Sequence, residues 1–112
     1  MSDLHWVPVC ALDELVPQRG AAALIGGRQI ALFRLMPEDE VLAIANEDPF
    51  SEANVMARGI VGSIGDAVVV ASPMYKQHFD LRAGRSIEDP DVVVETFPTR
   101  VARGLVEIGV RP

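Results

Sequence analysis

One cysteine, Cys10, stands in 112 residues, so the chain can form no internal disulfide and cannot build a cage of paired thiolates around a metal. Basic residues are also few. Ten Lys and Arg against sixteen Asp and Glu leave a net charge of −6, and nine of the ten are arginines that never gather into one block. A nucleic-acid partner is disfavoured, because affinity for a phosphate backbone comes mainly from neutralising it. Long apolar runs are absent as well. Stretches such as Ala67 to Ala71 fall far short of the roughly 20 residues a membrane helix needs. The opening Met1-Ser2-Asp3 lacks the positive start of a signal peptide, so a cytoplasmic protein with no membrane partner is expected. Finally, no stretch keeps a 3.6-residue stripe for three turns, which leaves no amphipathic helix of useful length.

What remains is a chain that is 49% apolar and 23% charged, with enough apolar side chain for one core over residues 1–112. Its apolar runs are four to six residues long and closed by Gly, Pro or Asp, the pattern of short strands and tight turns. Trp6 to Val9 carries Pro8 and suits an edge. A helical turn is expected at Asp13-Glu14-Leu15. Ala21 to Leu24 and Gln29 to Leu35 flank Gly26-Gly27, and Val61 to Ile64 and Ala67 to Ala71 flank Gly65-Asp66, so each pair predicts a hairpin. Val41 to Ala45 is apolar on both faces and is expected at the centre of a sheet. Strands are further expected at His78 to Leu81, Val92 to Phe97, Arg100 to Ala102 and Leu105 to Ile108, the last with Val106 and Ile108 on one side. Eight to ten short strands predict an all-β antiparallel sandwich or small barrel.

The motifs that invite chemistry have plainer explanations. Gly59, Gly62 and Gly65 lack the nucleotide-binding spacing and no helix follows them. Ser72 and Lys76 are four apart rather than three, and His78 lies on a strand, so nothing local assembles a nucleophile with its base. Glu47, Asp48 and Glu52 lack the ligand alternation of a calcium loop.

A stronger pattern joins two irregular segments. Asn46-Glu47-Asp48-Pro49-Phe50 follows a strand, and Ser72-Pro73-Met74-Tyr75 follows a hairpin and precedes Phe79-Asp80-Leu81-Arg82-Ala83-Gly84. From Trp6 to Val110 this layout resembles the Rieske iron–sulfur domain, with its Cys-Pro-His loop, its Cys-Pro-x-His-Gly loop and a Phe-Asp-Leu-x-x-Gly segment. Asp48 and Ser72 stand at the cysteine positions, Phe50 and Tyr75 at the histidine positions. A Rieske centre needs two thiolates on one iron and two imidazoles on the other, so this chain is expected to hold no cluster or other metal. Within that group, Ser72 to Gly84, His5-Trp6-Val7-Pro8-Val9, and Thr99-Arg100-Val101 with Gly104-Leu105-Val106 resemble the small subunits of assimilatory NAD(P)H-dependent nitrite reductases.

That resemblance implies an oxidoreductase subunit in nitrate assimilation, accompanying a large subunit that carries FAD, siroheme and a [4Fe–4S] cluster and reduces nitrite to ammonium. It assigns no catalytic residue and no cofactor to this chain. Two roles follow for the side chains around the lost ligands. Phe50, Met74 and Tyr75 are expected to replace the metal tie by apolar packing, or to form with Lys76 and His78 a tip that docks on the large subunit. The rival expectations are a stand-alone binding or regulatory module on a degenerate Rieske fold, and a [2Fe–2S] electron-transfer ferredoxin, which the absent ligands oppose.

Overall fold

Both faces of the apolar segments Arg28–Leu35 and Glu40–Ala45 need cover, and the computed structural model, which describes residues 4–111, supplies it by placing them inside a stack of three antiparallel sheets. The outer sheet has the order β1-β10-β9, from His5–Ala11, Leu105–Val110 and Thr99–Ala102. The middle sheet is β2-β3-β4-β8, from Gly20–Ile25, Arg28–Leu35, Glu40–Ala45 and Thr96–Phe97. The third is β5-β6-β7, from Ile60–Ile64, Ala67–Ala71 and His78–Asp80. No helix among the described residues is long and apolar enough to cross a membrane.

Because successive side chains of a strand point to opposite faces, β3 and β4 feed two separate cores. Ile30, Leu32, Val41 and Ala43 meet Val106 and Ile108 of the outer sheet. Ala31, Phe33, Leu35 and Ile44 meet Val70, Phe79 and Leu81 of the third sheet, with Met56 between them. The expected central place of Val41 to Ala45 and the inward side of Val106 and Ile108 are thus observed. The β2–β3 turn is made by Gly26 and Gly27, whose φ values of 57° and 82° are unstrained only without a Cβ. Strand β1 lies at an edge, as Pro8 suggests, and its register slips between Pro8 and Cys10. Cys10 is half-buried against the outer core, where burial, then the neighbouring Glu14, push its thiol pKa up.

One expected strand fails. Of Val92 to Phe97, only Thr96–Phe97 pairs with β4, while Val93 makes an isolated bridge to Arg85. The rest of that run crosses the turn after β7: the Val94 N–H donates to the Gly84 carbonyl and the Ser86 N–H to the Val92 carbonyl. Gly84, at φ 76°, lies so close that a Cβ there would sit 2.2 Å from the Val94 oxygen. The backbone groups of the valines are therefore spent on a crossing loop instead of a ladder.

Candidate functional site

Two loops leave neighbouring layers on the same side of the middle sheet. The first, residues 46–59, follows β4 and is closed by Asn46, which is buried. The Asn46 side-chain amide donates to Gln29 Oε1 at 2.9 Å, its Oδ1 accepts the Ala57 N–H at 2.8 Å, and its carbonyl accepts the Met56 N–H at 3.0 Å. One polar side chain and the fully buried Met56 thus pin both ends of this loop to the core. The second, residues 72–77, follows β6 and closes on itself, with the Ser72 N–H donating to the Gln77 carbonyl at 2.9 Å and the Lys76 N–H to the Ser72 carbonyl at 3.1 Å.

At the point where the loops meet, Asp48 and Ser72 are both fully buried, and the Ser72 hydroxyl donates to Asp48 Oδ2. The other carboxylate oxygen accepts the Phe50 N–H at 2.8 Å and, more weakly, the Ser51 N–H at 3.4 Å. A buried carboxylate is costly unless its lone pairs are met, and here the partners come from both loops. Phe50, half-buried, packs tilted against Phe79 with ring centroids 5.9 Å apart. Tyr75 and Met74 point outward, 59% and 47% exposed, and Lys76 beside them is exposed at φ 65°.

A family described as a Rieske-like [2Fe-2S] domain matches residues 5–109. The nitrite reductase (NADH) small subunit of Salmonella typhimurium is 41% identical over 104 residues, covering 93% of this chain and 96% of that one. The chain belongs to the nitrite reductase small subunits. A crystal structure of an NADH-dependent nitrite reductase small subunit from Mycobacterium tuberculosis superposes with a TM-score of 0.94 at 42% identity, covering 99% of each chain. The same family also occurs inside a longer protein. The nitrite reductase [NAD(P)H] large subunit of Klebsiella oxytoca matches at 43% identity over 104 residues, which cover 93% of this chain and 11% of that protein.

The family description raises the question of a [2Fe–2S] cluster, and the residues of this small subunit do not fit one. Asp48 and Ser72, which the resemblance sets at the thiolate positions, are bonded directly to each other, and of Phe50 and Tyr75, which it sets at the imidazole positions, one is a phenyl ring packed on Phe79 and the other an exposed phenol. Among the described residues, no three His, Cys, Asp or Glu side chains come together as a metal set. The same bond removes Ser72 as a nucleophile, since its hydroxyl is buried and already donates.

One expectation is corrected. Of Phe50, Met74 and Tyr75, only Phe50 packs inward; the tie between the loops is the polar Asp48–Ser72 pair. The reason is geometric: the Asp48 and Ser72 side chains meet directly where the two loops come together, while Met74 and Tyr75 stand on the outside of the second loop. His78 is held by Glu88, whose Oε1 accepts the His78 N–H at 2.8 Å and whose Oε2 lies 2.6 Å from Nδ1. Burial pushes the Glu88 pKa up, but its hydrogen bonds with His78 outweigh this and hold it below the usual carboxylate value.

A further exposed residue escapes sequence reasoning. Ile60 pairs with Ala71, which pairs with His78, so one row across the third sheet runs Ile60, Ala71, His78 directly beside the second loop. Ile60 is 74% exposed. It adds an exposed apolar side chain to the row that carries His78. Alternation alone does not reveal which face of an edge strand is open, and only the Gly59 before it hinted at a change of direction.

Proposed function

We propose that this chain works as the non-catalytic small subunit of a cytoplasmic NAD(P)H-dependent nitrite reductase, seated on a large subunit that carries FAD, siroheme and a [4Fe–4S] cluster and converts nitrite to ammonium. The observation that carries this reading is the Klebsiella oxytoca large subunit, in which the whole domain is part of the same chain. A domain retained both as a separate subunit and as a covalent segment is one whose place is beside the large subunit. With no ligand set for a cluster, its contribution is to bind and to position.

The docking surface is the tip: Phe50, Met74, Tyr75, Lys76 and His78, extended by Ile60. Exposed aromatic and Met side chains beside a cation suit an interface centre, and clustered exposed apolar residues are uncommon on a surface that stays wet. Replacing Tyr75→Ala together with Lys76→Ala is expected to weaken binding to the purified large subunit by at least about tenfold, roughly 1.4 kcal/mol, while the urea midpoint of the isolated chain hardly moves. Adding the wild-type chain to the large subunit is expected to raise NADH- or NADPH-dependent nitrite reduction, and the double variant to need higher concentrations for the same rise. Full binding and full activity of the double variant would remove the tip from the interface; no binding by the wild type would end the subunit reading.

A further inference from the structure

The first and last strands of the described residues begin and end side by side. In the β1–β10 ladder His5 is opposite Val110, so whatever precedes residue 5 and whatever follows residue 110 leave from the same end of the outer sheet. In the Klebsiella oxytoca protein the matched domain is 11% of the whole, so the remainder is joined to it at this end, whichever side of the domain it occupies.

A groove of about 940 Å³ opens at that end, between the middle sheet and the last residues of β10. Leu4, Phe97 and Val110 give it an apolar lining, and Arg28, Arg82 and Arg111 also line it. The lining thus holds three arginines and one acidic residue, Glu95. Arg28 pairs with Glu95 at 2.7 Å, and Arg82 with Glu40 outside the lining. Both pairs are half-exposed and are readily shared with a further carboxylate. The Arg28 guanidinium also lies over the Phe97 ring, 5.1 Å from its centroid. An arginine on an aromatic face beside apolar side chains is the composition of an interface centre.

We infer that this groove is a second contact for the large subunit, taking an extended apolar segment of it flanked by carboxylates. The inference rests on the subunit reading above and adds to it a direction: the large subunit reaches the domain at its terminal end as well as at its tip. The placing of both described termini at that end, and an arginine-bearing, partly apolar groove at the same end, are independent observations.

The test uses the complete small subunit with the purified large subunit, a photoreactive benzophenone amino acid being placed singly at Arg28, Arg111, Tyr75 or Arg103. Arg103 lies in the turn at the far end of β10, roughly 17 Å along the strand from Val110. Adducts with the large subunit are expected from positions 28 and 111 and not from 103. Adducts from Tyr75 alone would overturn the groove and leave the tip reading standing. Adducts from none of the four would overturn both, and adducts between two small subunits from 28 and 111 would assign the groove to self-association instead. As a second measurement, Arg28→Gln with Arg111→Gln is expected to weaken binding about tenfold at low salt, with the loss shrinking as salt rises. An unchanged affinity at low salt would count against the groove even if the adducts formed.

Discussion

The two faces of the middle sheet are closed by different means. Towards the outer sheet, Ile30, Leu32, Val41 and Ala43 meet Val106 and Ile108 in an apolar core, beside which the Thr99 hydroxyl donates to the Val41 carbonyl and the Arg34 guanidinium to the Leu12 and Leu15 carbonyls. Towards the third sheet, an apolar layer built on Phe33, Ile44, Met56 and Phe79 is continued by a buried polar pair, Asp48 with Ser72, at the meeting of two loops. The polar links beside the first face end on backbone carbonyls, whereas the second face joins two buried polar side chains to each other in one geometry. Two loops can thus be held together without enlarging the core. The cost is a carboxylate buried where every partner counts.

The largest effects are expected from truncating each core in turn. Phe79→Ala should cost about 3–5 kcal/mol and Ile108→Ala about 2–5 kcal/mol, by lost burial and the cavity left behind. Both are fully buried, and together they sharpen the contrast. Phe79 also supports Phe50, so its loss should loosen the first loop and reduce large-subunit adducts from a benzophenone at Tyr75, whereas Ile108→Ala should lower the urea midpoint and leave those adducts from the folded fraction unchanged. Equal effects of the two on those adducts would show that the faces are not separate.

Next come the members of the polar pair. Asp48→Ala leaves the Ser72 hydroxyl and the Phe50 N–H without an acceptor, a loss of about 2–4 kcal/mol; Ser72→Ala leaves one carboxylate oxygen unmet, about 1–3 kcal/mol. The double variant should cost less than the sum, with a coupling of about 1–3 kcal/mol in a double-mutant cycle from urea unfolding. Additive losses would mean that the two loops are held independently.

The strands of both faces are legible in the sequence, and the link between the loops is not. Glycine-bearing turns between short apolar runs mark β2–β3, β5–β6 and β9–β10, and the alternation of Leu105 to Ile108 marks its inward side, because burial on a period of two leaves a local trace. The loops are recognisable only through their resemblance to ligand-bearing segments. The Asp48–Ser72 bond has no trace of its own: it joins residues 24 positions apart, neither of them in a pattern that distinguishes a buried polar side chain from a solvated one. The same limit explains Ile60, whose exposure depends on what lies beside an edge strand, and Val92 to Glu95, whose apolar run suits a strand until the Gly84 crossing takes its backbone partners. Local patterns report burial; they do not report which distant group satisfies a polar atom.

The smallest expected effect tests the same contrast by pH. Arg82, just after β7, reaches across to Glu40 on β4 with two hydrogen bonds of 2.6 Å, an ion pair that links the third layer to the middle one. The bond to Arg82 holds the Glu40 carboxyl below its usual pKa, and Glu88 beside His78 is shifted in the same direction. A carboxylate whose folded pKa is depressed stabilises the fold above its unfolded value, about 4.3, and that contribution disappears as the pH falls through the folded value. Arg82→Gln should therefore lower the urea midpoint at pH 7, and the gap from wild type should close as the pH drops below about 4. The pair is exposed, so salt should narrow the gap at pH 7 as well. Because both shifted carboxylates belong to contacts of the third layer, its amides in β7 should lose hydrogen-exchange protection at a higher pH than those of β10, which meets the middle sheet through Val106 and Ile108. Simultaneous loss in both strands would show that acid unfolds the domain as one unit and that the polar face is no weaker than the apolar one.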